Sequence, residues 1–197
     1  IIGAAGYTGG ELLRILINHP QVELEFAQSR SNAGNLVSKV HADLAGDTGL
    51  IFSDTHHTNV DVLFLCAGHG ESRKFLALNE IPATVKIIDI GNDFRLKNDA
   101  EIGSRNFIYG LPELNRDAIC QADNIANPGC FATTIQLGLL PLAKQGLLQN
   151  VYTTGITGST GAGQAFSETA HFSWRANNIQ AYKSLTHQHL GEIGESL

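Results

Sequence analysis

Asn127-Pro128-Gly129-Cys130 runs directly into an apolar, helix-like stretch from Phe131 to about Ala143, which places a thiol at or beside the start of a helix. A free thiol titrates near about 8.5 and is only about 3% thiolate at pH 7, but the positive end of a helix favours the anion, the form that attacks carbon. Cys130 therefore reads as a nucleophile. Cys66 lies inside an apolar strand-like run and Cys120 precedes the polar Gln121, so both read as structural. Three cysteines, with no CxxC pair and no Cys/His spacing of the zinc type, indicate neither a disulfide framework nor a structural metal site. On an extended stretch His187 and His189 face the same side and could line one pocket. His69 and the His56-His57 pair read as ordinary polar or packing residues, and no ligand cluster calls for a metal.

A second constellation lies at the opposite end of the chain. Ile1-Ile2 is strand-like, Gly3, Gly6 and Gly9 follow at once, and Glu11 to Ile17 has helical apolar spacing that Pro20 ends. Glycines in a strand–turn–helix let a pyrophosphate approach the helix start, although GxxGxxG is not the common GxGxxG and a plain tight turn would also use them. The context favours dinucleotide binding by Gly3, Gly6, Tyr7, Thr8 and Gly9. After the next strand-like stretch the chain reads Gln28-Ser29-Arg30-Ser31, without the Asp or Glu that binds an unphosphorylated ribose. Ser29, Arg30 and Ser31 are expected to hold a 2′-phosphate, making NADP the cofactor; the alternative is a solvated Arg30.

These residues need a frame. Strands are expected at Val22–Ala27, Leu50–Phe52, Val60–Ala67, Val85–Ile90 and Asn124–Ala126, with helical material at 35–44, Glu71–Leu78 and 131–143. Residues 94–114 read as mostly loop, Val151–Ile156 and Asn178–Tyr182 as further strands, and 189–193 as the start of a helix. Alternating strands and helices of this length imply an α/β fold, a Rossmann-type parallel sheet covered on both faces, with ligands at the strand ends. The expected division is a nucleotide domain over 1–130 and part of a second, mixed α+β substrate or dimerisation domain over 131–197. Both ends look cut. A net charge of -6 offers no basic surface for nucleic acid, and no apolar run approaches the roughly 18 residues of a membrane span. With free cysteines and no leader, the cytoplasm is the expected location.

At Cys130 the motif becomes specific: Asn127-Pro128-Gly129-Cys130-Phe131-Ala132-Thr133-Thr134 resembles the active-site segment of the N-acetyl-gamma-glutamyl-phosphate reductase family. Further matches follow in order along the chain: Gly3 to Gly9, Asp93-Phe94-Arg95-Leu96, Tyr109-Gly110-Leu111-Pro112-Glu113, Gly158 to Gly163, and His187-Gln188-His189-Leu190-Gly191-Glu192-Ile193. Departures are Phe131 and Ala132 for Tyr-Pro, and Gln188 and Gly191 for Arg and Pro in the histidine motif; the lost arginine makes substrate preference less secure. The resemblance implies an NADPH-dependent reduction of N-acetyl-glutamyl 5-phosphate to the semialdehyde through a Cys130 thioester, in arginine biosynthesis. It implies His187 as the principal acid/base, with His189 binding substrate or donating the proton instead, and a homodimer or homotetramer. Arg95, Ser159 and Gly161 are the candidates for anionic substrate contacts, against an internal partner for Arg95 and a plain turn for the loop. Rival readings are an N-succinyl-glutamyl- or aspartyl-phosphate reductase, and a dinucleotide-binding redox sensor without turnover.

Overall fold

The computed structural model describes all 197 residues. Six helices, α1 (Tyr7–Ile17), α2 (Glu71–Leu78), α3 (Pro112–Gln121), α4 (Cys130–Ala143), α5 (Phe172–Arg175) and α6 (His189–Ser196), accompany short strands. These are β1 (Ala27–Gln28), β2 (Phe52–Ser53), β3 (Val62–Leu65), β4 (Lys86–Asp89), β5 (Glu101–Ile102), β6 (Arg105–Asn106), β7 (Ile108–Tyr109) and β8 (Asn124–Ala126). Ile2 bridges in parallel to both Gln28 and Leu65, joining β2-β1 to β3-β4-β8-β7 in one parallel sheet. β5 and β6 form a separate antiparallel hairpin.

Strand alternation divides the core. Ile2, Leu63, Leu65, Val85 and Ile87 face one cluster with Phe94 and Phe107; Ile1, Ala27 and Phe52 face another with Leu13 and Leu16 of α1 and with Val37 and Leu44. Because the chain leaves Ile2 first towards β1 and later returns to its other side at β3, Ile2 marks a topological switch point, where such sheets bind ligands. The C-terminal ends of its strands carry the glycine turn, Ser29 to Ser31, Cys66 to Gly70, and Asn127 to Cys130.

Several expected elements differ. Of the strand expected at Val22–Ala27 only Ala27 pairs, continued by Gln28. Residues 37–44 form two 3-10 turns (Val37–Lys39 and Ala42–Leu44) instead of a helix. α3 was not expected; its start uses Pro112 at the first turn, where a missing N–H costs nothing, but it buries no side chain and so has no apolar period to read. Val151–Ile156 and Asn178–Tyr182 are not strands, for no neighbouring chain takes their hydrogen bonds, and Tyr152, Ile156 and Ile179 remain exposed. After β8 this part of the chain consists of three α-helices, two short 3-10 turns and irregular structure. No helix is long and apolar enough to cross a membrane.

Candidate active site and cofactor cradle

Gly3 turns the chain out of the central strand at φ +75°, and a Cβ there would stand 2.6 Å from the Cys66 carbonyl oxygen. Gly9 sits on the same turn, where a Cβ would lie 2.7 Å from Ala4 Cα. A side chain at either place would force the turn open. The first-turn amides of Tyr7, Thr8 and Gly9 have no acceptor within the protein, and no side chain caps α1. Orphan amides at the positive end of a helix, beside a switch point, suit the phosphates of a dinucleotide.

At the end of β1, Ser29 is buried and Ser31 exposed, with their hydroxyls 3.5 Å apart. Asn32 Nδ2 donates to both, at 3.2 and 3.1 Å, a partner the sequence reading overlooked. Arg30 is exposed and makes no hydrogen bond or ion pair to the protein. From the far half of the chain, Gln164 Nε2 donates to the Ala5 carbonyl at 3.2 Å, bringing the Gly158–Gly163 loop alongside the glycine turn. Within that loop Ser159 to Ala162 form a 3-10 turn, with Ser159 half-buried and Gly161 exposed.

Cys130 is the first residue of α4 and its thiol is exposed. The amides of Cys130, Phe131 and Ala132 lack acceptors within the protein, so the helix opens on a set of free donors. Phe131 packs edge-on against His187, with ring centroids 5.3 Å apart, and lies 6.5 Å from His189. The two imidazoles are 4.6 Å apart. A Cβ on Gly129 would run into the His189 ring, so the residue before the cysteine must be glycine for this imidazole to approach. His187 Nδ1 accepts the His189 backbone N–H at 3.2 Å, while the buried His189 Nδ1 has no partner.

Burial is the main cause lowering both imidazoles from their ordinary titration range. Lys183 adds to it at His187 and Glu192 opposes it; at His189 Glu192 again opposes, while His187, Arg95 and His69 push further down. Both rings are therefore neutral at pH 7. His69, expected to be an ordinary polar residue, thus stands close enough to His189 to be felt electrostatically.

Glu192, quoted in the histidine motif without a role, is the hub behind these groups. Its buried carboxylate accepts from Gly129 N–H (2.9 Å), Tyr109 Oη (3.0 Å) and Arg95 Nη1 (3.0 Å), and lies 3.9 Å from His189 Nε2. The single Tyr109 O–H is shared between Glu192 Oε2 and Gln136 Oε1, both at 3.0 Å, and Gln136 Nε2 of α4 donates to the Glu192 carbonyl at 3.0 Å. Burial, and then the Glu192 charge, push the Tyr109 phenol well above its ordinary value. Arg95 consequently has an internal acid, and its other Nη donates to the Ile90 carbonyl, leaving only Nε without a partner. The geometry thus favours the internal partner over a substrate anion for this guanidinium.

Residues 1–122 match the family model described as semialdehyde dehydrogenase, NAD binding domain, and residues 130–197 the model described as semialdehyde dehydrogenase, dimerisation domain. The chain belongs to the semialdehyde dehydrogenase family. Among curated relatives, N-acetyl-gamma-glutamyl-phosphate reductase of Flavobacterium johnsoniae is 57% identical and that of Phocaeicola vulgatus 54%, each over 100% of this chain and 61% of the relative. The chain thus spans about three fifths of the length of the curated relatives it matches. In fold it is similar to an aspartate semialdehyde dehydrogenase II from Vibrio cholerae crystallised with ASA, with a TM-score of 0.58 at 22% identity, over 83% of this chain and 47% of that one. The glycine turn from Gly3 to Gly9 lies within the residues matched by the NAD binding domain model.

Proposed function

We propose that this chain carries the nucleotide site and reacting thiol of an NADPH-dependent reductase that converts an N-acylated glutamyl 5-phosphate, in first place the N-acetyl compound, to its 5-semialdehyde in arginine biosynthesis. The observation that carries the reading is Cys130 at the open start of α4, with Gly129 seated under His189 and Phe131 against His187. It is supported by 57% identity to a curated N-acetyl-gamma-glutamyl-phosphate reductase along this whole chain.

Cys130 Sγ attacks the acyl-phosphate carbon, a C–S bond forms, the C–O bond to phosphate breaks, and inorganic phosphate leaves a thioester. The free amides of Cys130, Phe131 and Ala132 offer donors for the oxyanion that develops during attack. With Nδ1 accepting the His189 amide, neutral His187 carries its proton on Nε2 and presents a donor to the departing or developing oxygen. Neutral His189, its Nδ1 unpartnered, is the alternative proton carrier. The glycine turn and the free amides of Tyr7, Thr8 and Gly9 hold the pyrophosphate, and Ser29, Arg30 and Ser31 hold the 2′-phosphate. When bound there, a dihydronicotinamide would supply the hydride that reduces the acyl carbon, and cleavage of the C–S bond would return Cys130 as thiolate with the aldehyde released. Ser159 and Gly161 are the proposed contacts to the substrate anion.

The partner is a second copy of the chain, in a homodimer or homotetramer, in keeping with the dimerisation model over 130–197 and with exposed Tyr152, Ile156 and Ile179. The cytoplasm is the proposed location. Mixing the full-length protein with NADPH and N-acetyl-glutamyl 5-phosphate is expected to release aldehyde and phosphate in equal amounts. Saturable NADPH binding without either product would refute the catalytic reading in favour of a sensor, and faster turnover of aspartyl phosphate would reassign the substrate.

A further inference from the structure

We propose that His41 is a positioning residue for the dinucleotide site, holding the Ala4–Ala5 peptide so that the glycine turn presents its amides outward before any ligand arrives. The inference rests on the reading of Gly3 to Gly9 as a dinucleotide cradle. His41 lies 37 residues from Ala4, between the 3-10 turns Val37–Lys39 and Ala42–Leu44, and is 6% exposed. Its Nε2 is 2.9 Å from the Ala4 carbonyl oxygen, which can only accept, so Nε2 carries a proton and donates. Ala4 is then held at both ends, for its own N–H donates to the Gln28 carbonyl at 2.9 Å. In a trans peptide the carbonyl and the following N–H point in opposite directions. Drawing the Ala4 carbonyl inward therefore aims the Ala5 N–H to the other side, where it has no acceptor in the protein, like the amides of Tyr7, Thr8 and Gly9. The Gly6 N–H between them is taken by the Gly3 carbonyl at 3.1 Å, so the turn offers Ala5 N–H and the run from Tyr7 to Gly9 as the free donors of a concave anion site.

The helix start rests on the same support. A Cβ on Gly9 would meet Ala4 Cα at 2.7 Å, and a Cβ on Gly10 would meet His41 Cε1 at 2.5 Å, so both glycines let the first turn of α1 lie directly on Ala4 and the imidazole. Two residues beyond His41, Asp43 ties the segment to α1 through Arg14, at 2.6 and 2.8 Å. An apolar side chain would fill this space without desolvating a polar ring but would leave the Ala4 carbonyl without a donor.

The test is NADPH and NADH titration of the full chain, followed by fluorescence, with thermal unfolding of the same samples. His41→Leu is expected to weaken both cofactors by about tenfold, the loss of one buried hydrogen bond with its acceptor left unpaired, and to raise the KM for NADPH while kcat stays within about twofold. His41→Gln, which restores a donor near the Nε2 position, is expected to recover most of the affinity. Should His41→Leu not fold, Gly10→Ala displaces the ring from the other side and is expected to weaken cofactor in the same way. Wild-type affinity in His41→Leu or Gly10→Ala, or an affinity loss that His41→Gln does not recover, would overturn the proposal. Wild-type protein that binds neither NADPH nor NADH would remove the cradle reading as well, so the two failures are separable.

Discussion

Cys130 is exposed, yet its neighbours are fixed: Gly129 by the Glu192 carboxylate, Phe131 by the two imidazoles. Cys130→Ser preserves those contacts and replaces sulfur by a far weaker nucleophile. Turnover of the acyl phosphate is expected to fall by about a thousandfold or more, with NADPH affinity within about twofold of wild type, as measured by steady-state kinetics and titration. Arg30 has no protein partner to satisfy, so Arg30→Ala is expected to leave the fold intact. It should weaken NADPH by about tenfold and NADH far less, because only NADPH brings a 2′-phosphate to pair with a guanidinium. Equal losses for the two cofactors would show that Arg30 is solvated and that another group reads the ribose.

The contact between α4 and α6 depends on the sheet-end segment after β4. Asp93 accepts the amides of Gly70 and Arg73 at 2.6 and 2.9 Å, Phe94 stacks on Phe107, Arg95 pairs with Glu192, and Leu96 packs on Gly191. One four-residue motif thus ties the loop before α2 to the histidine helix. Glu192→Ala would leave Arg95 buried without its countercharge and Gly129 N–H without its acceptor. It is expected to cost about 3–5 kcal/mol in denaturant unfolding, more than truncation of an exposed acid such as Glu11. The long apolar runs at β3 and β4 and the amphipathic α1 and α2 could be read before folding because burial itself imposes their pattern. α3 escaped because it buries nothing, and 151–156, which alternates like a strand, pairs with no other segment of this chain. Glu192, Tyr109 and Gln136 stayed hidden for a related reason: their partners are 27 to 83 residues distant along the chain, and no local spacing reports them.

At the scale of the whole molecule, charge state links folding to the site. His187 and His189 titrate lower folded than unfolded, so below about 6.5 the unfolded chain binds more protons and stability rises with pH up to that value. Chemical denaturation between pH 5 and 7 should show that slope, and His189→Gln should flatten it; an unchanged slope would place the titrating groups elsewhere. The same depression keeps neutral imidazoles beside Cys130 at neutral pH, ready to take or hold a proton. The sheet collects the glycine turn and Cys130 at the C-terminal ends of its strands, and the segment leading into α6 brings the two imidazoles close by, the arrangement that the proposed covalent relay on one sulfur needs. The most direct test is to mix the full-length protein with N-acetyl-glutamyl 5-phosphate without any nicotinamide, quench rapidly in acid, and map the adduct by peptide mass spectrometry. The account predicts one stoichiometric burst of phosphate and an acyl group on the Cys130 peptide that disappears when NADPH is added before the quench. Aldehyde formation by Cys130→Ala at the wild-type rate, or an acyl group found on another residue, would contradict it.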